Sequence, residues 1–163
     1  MKIILLIPIY NDRESLKKLI ENINFEVKDL NSEISVVVIN DASSQQIADT
    51  YQNLENINSF EIINMKENRG HARCIASGLK YIFEKKEFDY VIPMDGDGED
   101  RPEEINNFIK LAEQLTDQSI IGERTKRSES ICFKLWYLSH RMIIVAFTIQ
   151  SIKFGNFTCL SKS

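Results

Sequence analysis

The 163-residue chain is predicted to be an α/β protein, a mainly parallel sheet with helices on both faces. Three observations carry that expectation. Short, continuous apolar runs recur along the chain, as strands buried on both faces require. Between them lie segments whose apolar positions repeat at helical spacing. The connections have the length of crossover helices, which join parallel strands.

Residues 2–7 (KIILLI) form the first such run. Pro8 and Asn11-Asp12 then punctuate the chain, and Leu16, Leu19, Ile20 and Ile23 mark an amphipathic helix over 13–24. Residues Ile34 to Ile39, β-branched almost throughout, are a second buried strand. Ser43-Ser44 offers an N-cap for a polar helix over 45–57, and Phe60 to Asn64 reads as a short third strand. Gly70 opens a helix with apolar positions Ala72, Ile75, Ala76, Leu79, Ile82 and Phe83. Tyr90 to Met94 is a fourth strand ending on an acidic run. Pro102 suits a first helical turn, continued by Ile105, Phe108, Ile109 and Ala112. Ser119 to Gly122 is a fifth strand, residues 132–152 an aromatic-rich helix, and Phe157 to Leu160 the start of a last strand.

The formal charge of −4 argues against nucleic acid as a partner, since such proteins usually carry a basic footprint. Charge is unevenly spread. Residues 123–163 hold seven Lys/Arg against two acids, a net of +5, which leaves about −9 for residues 1–122. An acidic front half suits a bound cation, and a basic back end suits phosphates or an anionic membrane surface; solvated helix faces would give the same totals. Cys74, Cys132 and Cys159 are odd in number and contain no CxxC pair, so reduced thiols of a cytoplasmic protein are expected. The longest apolar stretch after the first strand, Met142 to Ile149, is too short to span a bilayer, and no transmembrane helix is expected.

In open α/β sheets ligands gather at the carboxyl ends of the strands. The ends here are Pro8–Asp12, Asn40–Ser43, Lys66–Gly70, Asp95–Asp97 and Gly122–Arg124. The segment from Asp95 to Glu104 holds six acids and one Arg in ten residues. Acids this dense repel one another, so a cation is their natural partner. Asp95 and Asp97, one residue apart, can reach one Mg²⁺ or Mn²⁺ whose shell diphosphate oxygens complete, and Gly96 lets a ligand approach the backbone. An EF-hand fails, because Asp100 stands where the turn glycine belongs and Asn106 where the closing glutamate belongs. An acidic helix N-terminus explains Glu103 and Glu104 but not Asp95-Gly96-Asp97. Asp41 can accept from a base or ribose, or cap the next helix. Asn68-Arg69-Gly70-His71 places glycine and cationic groups at a helix start, where phosphates bind. His71 and His140 are too few for a histidine metal site, and no P-loop, GxGxxG or GxSxG signature occurs.

Together these segments resemble the family 2 glycosyltransferases. Pro8-Ile9-Tyr10-Asn11-Asp12 matches the family's opening P-x-Y-N-E, with Asp for Glu, and Val38-Ile39-Asn40-Asp41-Ala42-Ser43 matches V-D-D-x-S. Asn68-Arg69-Gly70-His71 with Ala76-Ser77-Gly78-Leu79 resembles the N-x-G-H…G-L helix of the polyprenyl-phosphate glycosyltransferases, and within the family the branch of dolichol-phosphate mannose synthases and bacterial polyprenyl-phosphate sugar transferases is nearest. Met94-Asp95-Gly96-Asp97 with Pro102-Glu103-Glu104-Ile105 matches D-x-D…P-E-x-I, and Gly122-Glu123-Arg124 resembles G-x-R.

The resemblance implies a GT-A (Rossmann-like) nucleotide-diphospho-sugar transferase fold over residues 1–163, with 1–127 binding donor and 128–163 beginning the acceptor side. It implies transfer of a sugar, with inversion, from a UDP- or GDP-sugar. Pro8, Tyr10, Asn11, Asp12, Asp41, Ser43, Gly70, Asp95 and Gly96 would hold the nucleotide sugar. Asp97 would be the main ligand of a Mg²⁺ or Mn²⁺ cofactor, with Asp95 beside it, and Arg124 and Arg127 would grip a phosphate. Glu99 stands where the lipid-linked branch often has Gln.

Relatives continue beyond the Gly155-Asn156-Phe157 turn, so the chain reads as C-terminally shortened or a fragment. Asn156 cannot act as a base. A sugar hydroxyl acceptor needs one, whereas a polyprenyl phosphate is already ionised; a binding module that cannot transfer would lack one too. A nucleotidyltransferase is the weaker alternative, since Pro8 to Arg13 lacks the glycine-rich, lysine-bearing loop. The basic, aromatic segment Phe133 to Lys153 suits either a peripheral position at the cytoplasmic face of a membrane or a core or subunit contact in a homo-oligomer.

Overall fold

A computed structural model describes residues 1–47, 54–97, 100–115, 118–122 and 157–162. The chain forms two compact units, residues 1–120 with 157–163, and residues 121–156, nearly all of which lies outside the described residues. The first unit contains β1 (Lys2–Ile9), α1 (Arg13–Glu26), β2 (Glu33–Asn40), β3 (Ser59–Asn64), α2 (His71–Lys85), β4 (Tyr90–Pro93), a 3-10 turn (Pro102–Glu104) leading into α3 (Ile105–Gln114), and β6 (Thr158–Ser161); β5 is Ile120–Ile121.

The six strands run in the order β3-β2-β1-β4-β6-β5. Strand β1 is central, paired in parallel with both β2 and β4, and β2 pairs in parallel with β3. Strand β6 pairs antiparallel with β4, setting Val91 opposite Leu160. The expected sheet is therefore mainly parallel, and the last strand reverses direction.

The burial of β1 explains its unbroken apolar run, because successive side chains point to opposite faces. Ile3, Leu5, Ile7 and Ile9 join the core beneath α1 and α3, with Leu16, Leu19, Ile20, Ile23, Ile105, Phe108 and Ile109. Ile4 and Leu6 enter the opposite core with Val37, Ile39, Cys74 and Ile82, beneath α2. Leu6 is fully buried, so truncating it to alanine should cost roughly 2–5 kcal/mol. Helix α2 lies close on the sheet at Gly78, where a Cβ would stand 2.5 Å from Leu6 Cδ1 and 2.8 Å from Ile39 Cγ1. The glycine of the A-x-G-L segment therefore serves packing.

One expected element fails where it is described. Residues 44–47 and 54–57 are not helical, so no helix spans 45–57; the centre of that stretch lies outside the described residues. Asn11 occupies the left-handed region (φ 53°), which asparagine tolerates, and its Oδ1 accepts from the Ser44 and Gln45 amides. Ser44 is thereby tied back to the end of β1 instead of starting a helix. The expected helix over 132–152 falls outside the described residues. Among the described residues no helix is long and apolar enough to cross a membrane.

Candidate functional site at the carboxyl end of the sheet

The chain runs outward from β1 through β2 to β3, then returns across β1 to β4. Strand order thus reverses between β1 and β4, the place where open α/β sheets leave a crevice. A cavity of about 360 Å³ opens there, walled by Pro8, Ile9, Tyr10 and Asp12 after β1, by Asp95, Gly96 and Asp97 after β4, and by His71 at the start of α2. A second cavity of about 220 Å³ shares Pro8, Ile9, Tyr10 and His71, and adds Asp41, Asn68, Gly70 and Cys74. The two meet along the β1 end.

Backbone hydrogen bonds carry the sheet up to this rim. The Asp41 amide donates to Ile9 O (2.9 Å), Met65 to Asn40 O (2.8 Å) and Met94 to Leu6 O (2.9 Å). Side chains then lock the loops together. Asn40 Nδ2 donates to Asn64 Oδ1 (2.8 Å), and Asn40 Oδ1 accepts from the Ser43 amide (3.0 Å). Ser43 Oγ accepts from the Asn11 amide (2.9 Å). Asn11 and Ser43, expected at the donor site, therefore brace the β1 loop against the β2 loop. Asp12 caps α1 by accepting from the Ser15 amide (3.2 Å) and also lines the larger cavity.

Asp41 is buried, at 3% exposure. Its two oxygens accept from the Arg69 and Gly70 amides, each at 2.8 Å. The cap is thus real but serves the entrance of α2, not the segment directly after β2. Those two amides precede the first turn of α2, which opens with the amides of His71, Ala72 and Arg73. Gly70 holds φ +84°, a conformation in which any other residue would be strained. Cys74, behind it, sends its thiol to Ile39 O (3.3 Å), and burial, then the Asp41 charge, push its pKa up to about 11. It is a packing thiol, unreactive at neutral pH.

The loop after β4 is built differently. The Asp95 amide donates to Asp100 Oδ2 (2.9 Å), and Asp100 is itself buried at 4% exposure. At Gly96 a Cβ would stand 2.9 Å from Pro8 O, so only glycine lets this loop press against the end of β1. Asp95 is partly buried and Asp97 exposed, and both face the larger cavity. His71 Nε2 lies 3.2 Å from Asp95 Oδ1.

The donor set suits a hard divalent cation. Two carboxylates one residue apart share a cavity roomy enough for phosphate oxygens, the usual completion of a Mg²⁺ shell. Among the described residues no group of three His, Cys, Asp or Glu gathers to hold a metal by itself. The remaining ligands would have to come from a bound diphosphate and water.

Pro8, Tyr10, Asp12, Asp41, Gly70, Asp95, Gly96 and Asp97 all line one of the two joined cavities. Arg124, Arg127 and Glu99 lie outside the described residues. Sequence reasoning missed the pairing of His71 with Asp95 and the inward turn of Asp100. The nearest signal for Asp100 was its place in an acidic run followed by Pro102; nothing local signalled the His71 contact.

The chain matches the model of the glycosyl transferase family 2 over residues 4–161. It is 29% identical over 133 residues to the undecaprenyl-phosphate 4-deoxy-4-formamido-L-arabinose transferase of Proteus mirabilis, covering 82% of this chain and 40% of that protein. To the transferase of the same name from Photorhabdus laumondii it is 30% identical over 163 residues, covering 99% and 48%. The chain thus spans less than half the length of these curated relatives. Among solved structures, the mannosyltransferase PcManGT of Pyrobaculum calidifontis, in complex with GDP-Man and Mn²⁺, superposes with a TM-score of 0.62 at 18% identity, covering 98% of this chain and 44% of that one. S. aureus TarS residues 1–349 with UDP-GlcNAc gives 0.55 at 20% identity, covering 80% and 37%. These likenesses establish the GT-A fold, and the family match over almost the whole length establishes that the chain belongs to glycosyl transferase family 2.

Proposed function

We propose that this chain is the donor-binding part of a glycosyltransferase that moves a sugar, with inversion, from a UDP- or GDP-sugar to a polyprenyl phosphate. The observation that carries this reading is the shared cavity at the β1/β4 switch point, where Asp95 and Asp97 face Pro8, Tyr10 and Asp12. The nucleoside fits the smaller cavity, and the diphosphate fits the larger.

Each group has a distinct task. Tyr10, half exposed and lining both cavities, offers a ring for a base to rest against. Asp41 holds the turn before α2 in place. Asp97 and Asp95 would hold a Mg²⁺ or Mn²⁺, which when bound neutralises the diphosphate leaving group. Arg124 and Arg127 are assigned to a phosphate of donor or acceptor, which a guanidinium fork grips well. Residues 1–127 are assigned to the donor and 128–163 to the acceptor side. An ionised lipid phosphate needs no general base to attack, and the curated relatives are named as undecaprenyl-phosphate transferases. Such an acceptor places the protein peripherally at the cytoplasmic face of a membrane.

The test is a calorimetric titration of UDP- and GDP-sugars with and without Mn²⁺, followed by incubation of the bound donor with a polyprenyl phosphate. Metal-dependent binding and formation of lipid-linked sugar are expected. Binding without transfer would reduce the chain to a donor-binding module, and metal-independent binding would remove the bridged diphosphate.

A further inference from the structure

His71 is the first residue of α2, and its position is determined from both sides of the sheet. On the β2 side, the buried Asp41 carboxylate holds the amides of Arg69 and Gly70, each at 2.8 Å. Gly70 then turns the chain through φ +84° into the helix, with no side chain of its own to fill the space beside it. On the β4 side, the His71 imidazole Nε2 lies 3.2 Å from Asp95 Oδ1. The Asp95 main chain is fixed separately, by its amide bond to the buried Asp100 carboxylate (2.9 Å). Asp95 is therefore steadied at both backbone and side chain, by groups 5 and 24 residues away in the chain. His71 also belongs to both cavities, so the nucleoside and diphosphate compartments meet beside it.

We infer that His71 is a positioning residue: it sets the Asp95 carboxylate toward the metal and diphosphate, and ties that geometry to the nucleoside compartment through Asp41. This inference rests on the donor-site reading above. The physical need is specific. A carboxylate on a short loop has several rotamers open to it, and each contact that favours one of them raises the affinity of a ligand needing that one. As a surface contact of a 60% exposed imidazole, the pair would add little to stability. Its value is then in binding and not in folding, and the two separate by experiment.

The probes are UDP and GDP, titrated into the full chain with and without Mn²⁺, with thermal unfolding followed in parallel. The readout is the ratio of the two dissociation constants, the gain that Mn²⁺ confers. His71→Ala is expected to lower that gain about tenfold, the usual cost of removing a group that orients a metal ligand, with an unfolding midpoint close to the parent's. His71→Gln, which keeps an N–H donor at similar reach, is expected to restore most of it. In an Asp95→Asn background His71→Ala is expected to add no further loss. A gain unchanged in His71→Ala, a His71→Gln no better than His71→Ala, or additive losses with Asp95→Asn would each overturn the inference while leaving the donor reading intact. If the parent chain shows no Mn²⁺-dependent gain, the donor reading fails and this inference fails with it.

Discussion

Two aspartate loops stand on either side of the β1 end, and they use the same side chain for opposite purposes. After β2, Asp41 is buried and both its oxygens accept main-chain amides at 2.8 Å. After β4, Asp95 and Asp97 line an open cavity, and the buried Asp100 carboxylate accepts the Asp95 amide. A strand-end carboxylate that satisfies the backbone builds the site. One that lines an open cavity stands where a ligand can reach it. The acidic run after β4 is dense because it supplies both kinds within six residues.

The largest expected effect breaks the β2 loop. Asp41→Ala strands two amides and should cost about 2–4 kcal/mol in urea unfolding, whereas Asp97→Ala, at an exposed position, should stay within about 0.5 kcal/mol. Equal losses in both variants would erase the distinction. Next is Gly78→Ala, whose Cβ would meet Leu6 and Ile39 beneath α2; a loss of roughly 1–3 kcal/mol is expected from the same measurement.

A smaller effect of opposite sign is expected at Ala42, which sits at φ 57° without being glycine. Ala42→Gly should stabilise by about 1 kcal/mol or less, since relief of the left-handed strain is partly offset by chain entropy. The smallest lies far from the site. Glu61 on β3 accepts from Tyr81 Oη (2.7 Å) and pairs with Lys86 Nζ (2.6 Å), both on the α2 side. Burial works to raise its carboxyl, but Lys86 and Tyr81 outweigh burial and hold it below the ordinary value of 4.5. A depressed folded pKa contributes stability above the unfolded value and loses it as pH falls through the folded one. Glu61→Gln should therefore cost under ~1 kcal/mol at pH 7 and nothing at pH 2, as pH-dependent unfolding would read.

Most of the fold was legible because its signals are local. Strands β1 and β2 are buried on both faces, so their runs cannot be mistaken for polar loops, and α2 repeats its apolar positions over four turns. The strand-end rule then picked out Pro8–Asp12 and Asp95–Asp97 before any distance was known. What stayed hidden depends on partners remote in sequence. Asp41 meets amides 28 and 29 residues on, and His71 meets Asp95 across 24. The missing helix start after Ser44 has the same origin: Ser44 looks like a helix cap, but Asn11 takes its amide from 33 residues away, and residues 45–47 are not helical. The direction of β6 was likewise unreadable, since an apolar run does not say which way its strand points.

The central claim is that a divalent cation and a nucleoside diphosphate meet at the β1/β4 switch point. Paramagnetic broadening of the amide NMR spectrum by substoichiometric Mn²⁺, with UDP or GDP present, locates that ion directly. The expected result is early loss of the Tyr10, His71, Gly96 and Asp97 signals, while Lys2 and Glu33, at the opposite end of strands about 26 Å long, persist. Early loss at Lys2 and Glu33, or a pattern unaffected by the nucleotide, would contradict it.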